Sequence, residues 1–230
     1  MTKINKKIVM ATSLATILLI SICAVQISVK SVYASGITYV IDAAALNGGD
    51  CNTIGTWNSA TKTCSLKMNL TNDNISIVSD NTTLDGKNHK MTGDKTVNGI
   101  YSTQNGITVK NLRIENYGNG VFLSGTGDAL INNISNNNSN NGFAINTSHA
   151  TIKDNKANNN GNYGISAAAV IHSTINNNSA NNNGNWGILA SGGDCILKSN
   201  SAKDNVEHQI VASGDNFTLI SNTEVFVNPL

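Results

Sequence analysis

The sequence is poor in charged and aromatic residues, and it contains a single arginine, Arg113, and a single proline, Pro229. Charged residues make up 13% of the chain and aromatic residues 5%. Four of the 15 basic residues precede residue 35, so the remainder carries 11 basic and 14 acidic residues. Proteins that bind nucleic acid usually show a basic patch. The charge balance therefore argues against nucleic acid as a partner.

The segment from Met1 to Ala34 has the pattern of a secretory signal peptide. Three lysines lie among residues 3–7, and a mostly apolar run occupies residues 8–25. Residues 32–34 match the small-x-small cleavage rule, which predicts that the mature protein begins at Ser35. If it is not cleaved, the run is nearly long enough to anchor the chain in a bilayer. Both outcomes predict a protein body outside the membrane, secreted, at the cell surface or in a periplasmic-type space.

Three cysteines follow the predicted signal peptide, and export permits disulfides. Cys51 and Cys64 bracket a short loop, so we expect them to form a disulfide, which would add about 3 kcal/mol of stability. Cys195 precedes Ile196 and Leu197, which favours a buried position as a small apolar residue.

The rest of the chain contains an internal repeat of a Gly-apolar pair, which recurs at intervals of about 22 residues. An apolar column and an asparagine column stay in phase with it. The pairs begin at Gly99, Gly120, Gly142, Gly164, Gly187 and Gln209; the apolar column is Val109, Ile131, Ile152, Ile175, Leu197 and Leu219; the asparagine column is Asn111, Asn133, Asn155, Asn178, Asn200 and Asn222.

The repeat predicts an all-β fold. Each unit contains short alternating apolar segments separated by Asn, Gly, Asp and Ser, which favours short strands over helices. One coil cannot bury its apolar side alone, so we predict a right-handed parallel β-helix of about seven stacked coils. The asparagine column predicts an internal ladder of side-chain amides that hydrogen-bond along the axis.

Residues 35–73 break the repeat and contain the Cys51–Cys64 pair and Trp57. We expect this segment to cap the first coil, because an uncovered strand edge invites aggregation. The repeats then occupy residues 74–230.

Asparagine-rich runs at 136–141, 158–162 and 181–185 recur at the coil period, which predicts turns and not a disordered tract. Eight Asn-x-Ser/Thr sequons are candidate glycosylation sites in a secreted protein. They begin at Asn69, Asn74, Asn81, Asn133, Asn137, Asn146, Asn177 and Asn216.

Two segments carry a resemblance to known proteins. Residues 81–93, which include an Asp-Gly turn, and residues 106–114 resemble the opening coils of pectin-lyase-like β-helix proteins. Repeats that end in Asn-Asn-x-Ile/Ser resemble the NosD-like surface and periplasmic proteins. The resemblance covers residues 74–226 and implies the fold. It implies little about activity, since the superfamily includes polysaccharide lyases, polygalacturonases, uronate epimerases, adhesins and a copper-maturation protein.

No catalytic motif is evident, and we predict no catalytic residues. A lyase needs a base and groups that neutralise the uronate, but Arg113 occupies an alternating strand position without a carboxylate cluster. A hydrolase needs two nearby carboxylates, and neither the polygalacturonase-type Asp-Asp pair nor the epimerase-type Asp-Pro-His motif is present. Asp85 and His89 could suggest a catalytic pair, but Asp85 belongs to an Asp-Gly turn signal and His89 lies in a polar stretch, so we assign neither a catalytic role. The alternative is an enzyme in which the stacked coils bring together acidic residues that are far apart in the sequence.

Four ionisable residues also recur near the coil period: Asp128, His149, His172 and Asp194. Stacked coils would place adjacent members about 5 Å apart. Imidazoles and carboxylates suit zinc or copper, and two histidines with one aspartate are the realistic set for one ion. The alternative is a corner that favours polar turn formers.

An aromatic column is formed by Tyr163, Trp186 and His208, which follow each other at the coil period, each just before an apolar pair. Stacked rings on an exterior corner could hold sugar rings. The alternative is a stack that only stabilises the fold, by about 0.5–1.5 kcal/mol per pair.

Taken alone, the sequence favours a non-catalytic extracellular β-helix that acts as a scaffold or as a recognition surface for polysaccharide or cell-envelope glycans. The first alternative is a carbohydrate-active enzyme or sugar-binding module. The second is a copper- or zinc-handling accessory protein. Contact with a membrane is expected only through an uncleaved signal segment.

Overall fold

A computed structural model describes residues 36–228, and the predicted signal peptide lies outside the described residues. In this range the chain forms a right-handed parallel β-solenoid of about seven turns, which confirms the predicted fold. No helix within residues 36–228 is both long and apolar enough to cross a membrane.

Residues 36–228 form one helical turn, α1, and 24 strands, most of them three or four residues long. In chain order they are β1 (Thr38–Ile41), α1 (Cys51–Ile54), β2 (Gly55–Asn58), β3 (Thr63–Leu66), β4 (Leu70–Thr71), β5 (Asn74–Ile77), β6 (Thr83–Asp85), β7 (Lys90–Thr92), β8 (Ile100–Ser102), β9 (Thr108–Lys110), β10 (Arg113–Glu115), β11 (Val121–Leu123), β12 (Ala129–Ile131), β13 (Ile134–Asn136), β14 (Phe143–Ile145), β15 (Thr151–Lys153), β16 (Ile165–Ile171), β17 (Thr174–Asn176), β18 (Ser179–Asn181), β19 (Ile188–Gly193), β20 (Ile196–Lys198), β21 (Ser201–Lys203), β22 (Ile210–Asp215), β23 (Thr218–Ile220) and β24 (Val225–Asn228).

The strands form three sheets that run along the solenoid axis. Sheet A has the order β1-β5-β8-β11-β14-β16-β19-β22-β24, and sheet B has the order β2-β3-β6-β9-β12-β15-β17-β20-β23. Sheet C consists of β4-β7-β10-β13 and β18-β21, which single bridges through Lys156 connect. The coil-to-coil strand pairs described here are parallel, whereas β2 and β3 are antiparallel.

Each coil turns at three corners, and each corner uses a residue with positive φ. Asparagine is common there because its short polar side chain tolerates the left-handed backbone. The A–B corner contains Asn81, Gly106, Gly127, His149, His172, Asp194 and Asn216; the B–C corner contains Asn111, Asn132, Asp154, Asn177, Ser199 and Ser221; the C–A corner contains Lys95, Asn116, Asn137, Asn159, Asn182 and Asp204.

Apolar side chains fill the interior in columns, one residue per coil. Sheet A contributes Ile75, Ile100, Val121, Phe143, Ile165, Ile188 and Ile210, and sheet B contributes Leu84, Val109, Leu130, Ile152, Ile175 and Leu197. The predicted apolar column is wrong at Ile131, which pairs with Lys110 on the outer side of sheet B. Val109 pairs with Leu130, because this coil is one residue shorter than the distance from Val109 to Ile131. A shift of one residue moves a side chain to the other face of a strand.

A buried amide ladder lies just inside the B–C corner. Its members are Asn133, Asn155, Asn178, Asn200 and Asn222. Each Oδ1 accepts the backbone N–H of the residue one coil earlier, as in the 3.0 Å bond from Asn155 to Asn178. The prediction is wrong for Asn111, which occupies the corner itself; the short coil puts Leu112 in the ladder position.

A second ladder, which the sequence did not reveal, lies inside the C–A corner. It contains Asn138, Asn160, Asn183 and Asn205. The Nδ2 of Asn205 donates to Oε1 of Gln209 at 2.9 Å, so the glutamine side chain ends the row. Both ladders satisfy buried backbone groups at corners where the sheets are interrupted.

The segment before the first full coil packs onto the end of the solenoid. Cys51 in α1 forms a disulfide with Cys64 in β3, and their Cα atoms are 5.7 Å apart. Strand β3 pairs with β6 of the next coil, and Trp57 packs against the core. These contacts support our proposal that residues 35–73 form a cap.

Replacing Cys51 and Cys64 together with serine should lower the free energy of unfolding by about 3 kcal/mol, because the bond closes a short loop in the unfolded chain. Urea denaturation under non-reducing conditions measures the loss. Dithiothreitol should destabilise the wild type to the level of the double variant and leave the variant unchanged. Equal stability of oxidised wild type and variant would show that the bond contributes nothing.

Candidate functional site

The predicted aromatic column lies immediately before β16, β19 and β22, where the chain enters sheet A. The ring centroids of Tyr163 and Trp186 are 5.2 Å apart with planes inclined at 32°. Those of Trp186 and His208 are 6.0 Å apart and inclined at 53°. Phe226 of β24 extends the column, since its ring stacks on His208 at 4.7 Å and 13°. The column therefore has four rings, and they are partly exposed or exposed.

A groove of about 380 Å³ runs beside this column. One side is aromatic, and the floor is the outer face of sheet A. The lining residues are Tyr163, Ala168, Trp186, Leu189, Ser191, His208, Val211, Ser213, Phe226 and Asn228. The groove thus combines aromatic surface with the hydroxyls of two serines and one tyrosine and the amide of one asparagine, which together provide both hydrogen-bond donors and acceptors.

Trp186 is held in place by an acidic neighbour. Its indole Nε1–H donates to Oε2 of Glu207 at 2.8 Å. This bond fixes the ring against rotation and places a negative charge at its edge. The spacing of the aromatic column gave no indication of it.

Sheet A carries a second aromatic pair nearer the N-terminal end. Tyr101 and Phe122 are stacked with centroids 5.5 Å apart and planes inclined at 12°. Through the strand pairing of successive coils, they occupy the same row of sheet A as Leu189, Val211 and Phe226. Both rings of this pair lie on strands, outside the aromatic column that precedes the apolar pairs, so the repeat gave no indication of them.

A larger cavity, of about 480 Å³, lies at the C–A corner and is lined mainly by asparagine and glycine. The lining includes Asn138, Asn160 and Asn183, whose amides are already hydrogen-bonded within the second ladder. Among the described residues that line this cavity, none is aromatic. It therefore combines fewer features of a binding site than the groove beside Trp186.

The predicted metal column is partly wrong. His149, His172 and Asp194 share the A–B corner, but Gly127 and not Asp128 precedes them there. Asp128 lies one residue further on, with its side chain buried inside the solenoid. Equivalent positions in these two coils are 22 residues apart, as in the pairing of Ala129 with Thr151, whereas Asp128 and His149 are 21 residues apart. This offset of one residue turns the carboxyl inward.

The three remaining side chains form a column that is not arranged for chelation. The imidazoles of His149 and His172 are stacked, with centroids 5.4 Å apart and planes inclined at 18°. Nε2 of His172 lies 3.5 Å from Oδ2 of Asp194. A metal bound to imidazole nitrogen lies near the ring plane, so one ion could not serve both rings without side-chain rotation. Within residues 36–228, no group of three or more His, Cys, Asp or Glu side chains is placed to hold an ion. The copper or zinc hypothesis stays a prediction.

The acidic and basic residues of the opening coils form ion pairs. The carboxylate of Asp85 lies 3.1 Å from Nζ of Lys87 and 3.8 Å from Nζ of Lys110. Burial opposes its ionisation, but hydrogen bonds from Asn111 and Lys87 outweigh burial and lower the pKa of Asp85. Arg113 is exposed. An ionised, ion-paired Asp85 is unsuited to act as a general acid at neutral pH.

The sequons differ in accessibility. The side chains of Asn69, Asn81, Asn137, Asn146, Asn177 and Asn216 are exposed, and Asn74 is half-buried. Asn133 is fully buried in the ladder, so its candidacy for glycosylation is wrong for the folded protein.

Comparison with known proteins adds a family match. A family described as "right handed beta helix region" matches residues 98–229. A search of solved structures found the crystal structure of pectate lyase Pel9A, with a TM-score of 0.48 and 16% sequence identity, covering 84% of this chain and 69% of that chain. No curated protein matches the sequence. The matched residues include every coil that lines the groove beside Trp186.

Proposed function

This chain belongs to the right-handed β-helix family, and we propose that it is an extracellular protein that recognises glycans without cleaving them. The observation that carries the proposal is the column Tyr163–Trp186–His208–Phe226 along a groove of about 380 Å³. Binding sites for small molecules combine apolar and aromatic walls with a few polar groups that fix orientation. Sugars match such walls, because their ring faces are rich in C–H and their edges carry hydroxyls.

The groove also supplies partners for sugar hydroxyls. Ser191, Ser213 and Asn228 line it, and each can both donate and accept hydrogen bonds. They project from β19, β22 and β24, which are neighbouring strands of sheet A. Ser191 and Ser213 lie on strands that pair on both sides, which holds their hydroxyls in place and reduces the entropy lost on binding.

The lining of the groove supports binding without hydrolysis. Among the described residues that line the groove itself, none is aspartate or glutamate; Glu207 and Glu224 line only the smaller cavity beyond His208 and Phe226, at one end of the groove. Glycoside hydrolysis needs two carboxylates that flank the scissile bond. We therefore propose recognition as the function and do not favour a carbohydrate-active enzyme.

Two features support an extracellular location for this activity. The segment from Met1 to Ala34 has the signal-peptide pattern, and the Cys51–Cys64 disulfide suits an oxidising compartment. Cell-envelope glycans or secreted polysaccharides are the ligands that such a protein meets.

Replacing Trp186 with alanine should abolish most glycan binding. We expect wild-type protein that begins at Ser35 to bind a restricted set on an array of neutral, acidic and amino oligosaccharides. The variant should bind the same glycans at least about tenfold more weakly, which corresponds to about 1.4 kcal/mol. The reason is the loss of the central ring of the column.

Tyr101→Ala provides the matched control, since it removes an exposed ring from the same sheet outside the groove. It should leave affinity unchanged, and circular dichroism should show all three proteins folded. Failure of the wild type to bind any glycan would contradict the proposal, as would equal losses from the two variants.

A further inference from the structure

The aromatic groove adjoins a smaller cavity of about 190 Å³. The two cavities share His208 and Phe226 as lining residues. The smaller one is also lined by Glu207 and Glu224, which come from neighbouring coils, and by Gln209. The aromatic groove therefore borders, at His208 and Phe226, a cavity that two glutamates line.

The charge around these carboxylates is uncompensated. Among the described residues that line the two cavities, none is lysine or arginine. The sequence after Lys203 contains no basic residue other than His208, whereas it contains Asp204, Glu207, Asp215 and Glu224. Within residues 36–228, the ion pairs involve other acidic residues and neither of the two glutamates. The smaller cavity therefore has two acidic and no lysine or arginine residues in its lining, beside an aromatic wall.

The tryptophan ties this carboxylate to the aromatic column. Oε2 of Glu207 accepts the indole N–H of Trp186 at 2.8 Å, which places the carboxylate charge at the edge of the ring. A cation near an aromatic face is attracted by the electrons of the ring. The arrangement thus favours a ligand that is both ring-shaped and positively charged.

We propose that the groove recognises an amino sugar, with its ring on the aromatic column and its primary ammonium in the cavity lined by Glu207 and Glu224. This inference rests on the proposed function and names its ligand class. A primary ammonium has three N–H donors, which suits two carboxylates and the Gln209 side chain. An N-acetylated sugar has no charge to offer the glutamates, and a quaternary ammonium has no N–H.

The test uses three tetrasaccharides with the same β-1,4 linkage: the glucosamine, N-acetylglucosamine and glucose tetramers. Calorimetry at low salt, with the amines protonated, should show the glucosamine tetramer binding at least about tenfold more tightly than the other two, or about 1.4 kcal/mol. The preference should shrink as salt is added, because salt screens partly exposed charges.

Glu207→Gln combined with Glu224→Gln keeps the side-chain shape and an acceptor for Trp186 but removes both charges. It should reduce glucosamine-tetramer affinity to that of the neutral tetramers and leave the neutral affinities unchanged. Asp204→Asn removes an exposed carboxylate that lines neither cavity, and it should preserve the preference.

The outcomes separate the two proposals. Equal binding of all three tetramers by the wild type would overturn the amino-sugar inference and leave glycan recognition standing. A preference that survives the double glutamine variant would overturn the assignment of the ammonium site. No binding of any tetramer would overturn the inference, and the glycan array would then decide whether the proposed function falls as well.

Discussion

Replacing Asn178 with alanine should lower the free energy of unfolding by about 3 kcal/mol or more, because it interrupts a buried ladder in the middle of the solenoid. Oδ1 of Asn178 accepts both the backbone N–H and the Nδ2–H of Asn155, each at 3.0 Å. Its Nδ2 donates to the carbonyl of Ile152 at 2.8 Å and to Oδ1 of Asn200 at 3.0 Å. Alanine would leave several buried polar groups without partners, each at a cost of about 1–3 kcal/mol.

Asn177→Gly is the control, since Asn177 is the exposed residue before Asn178 and has a φ of 53°. Glycine accepts that backbone conformation, so the change should stay within about 1 kcal/mol. Urea denaturation of the two variants and the wild type measures both effects. A loss for Asn178→Ala no greater than that for Asn177→Gly would show that the ladder does not hold the coils together.

The sequence predicted the fold because a solenoid repeats one physical requirement in every coil. Inward-facing positions must be apolar, and interior corner positions must satisfy backbone groups. Both requirements recur at the coil length and appear as columns. The ladder at the B–C corner was identified for the same reason, since Asn133, Asn155 and Asn178 follow each other at nearly constant steps.

The sequence pattern assigned individual residues to the wrong positions where the coil length changes by one residue. Ile131, Asn111 and Asp128 were each assigned to a column that the structure gives to a neighbour. Side chains alternate between the two faces of a strand, so an error of one residue exchanges inside for outside. Asparagine runs hide this information, because every position has the same residue; only the register distinguishes buried Asn160 from exposed Asn159.

The sequence predicted the part of the candidate site that lies in the turns before the sheet A strands, but it did not predict the contacts that other residues add. Tyr163, Trp186 and His208 occupy equivalent places in three coils, so their steps along the chain revealed them. Phe226 joins the column from a strand of the next coil, and its place there depends on side-chain direction. The bond from Trp186 to Glu207 likewise depends on rotamers, which no repeat in the sequence records.

Asp128 is the one residue of the predicted metal column that the structure buries, and its environment has a consequence for stability. Its Oδ1 accepts the backbone N–H of Ile107 at 2.8 Å, as the ladder asparagines accept backbone N–H groups at the other two corners. Its Oδ2 is buried without a hydrogen-bond partner among the described residues. Burial raises the pKa of the Asp128 carboxyl, although the Ile107 N–H and weaker interactions with the Gly125 backbone and the Thr147 hydroxyl oppose the shift.

The raised pKa fixes the direction of the pH dependence. The folded protein holds the Asp128 proton more tightly than the unfolded chain, whose carboxyl has the ordinary pKa of 3.8. The contribution of the neutral carboxyl to stability is therefore fully present below that pH and is lost as the pH rises through the folded pKa. At neutral pH the folded protein therefore carries the cost of a buried carboxylate, whose Oδ2 has no hydrogen bond of normal distance and angle among the described residues.

Replacing Asp128 with asparagine should therefore stabilise the protein at neutral pH by about 1–3 kcal/mol. The amide keeps an oxygen for the Ile107 N–H and replaces Oδ2 with a neutral donor, as in the two ladders. Urea denaturation from about pH 4 to about pH 8 should show the variant and the wild type converging at the acidic end and separating as the pH rises. Asp204→Asn, at a carboxylate that is 59% exposed, should give nearly the same stability as the wild type across this range. A destabilised Asp128→Asn variant, or a difference from the wild type that does not change with pH, would mean that the Gly125 backbone and the Thr147 hydroxyl already satisfy the buried carboxylate.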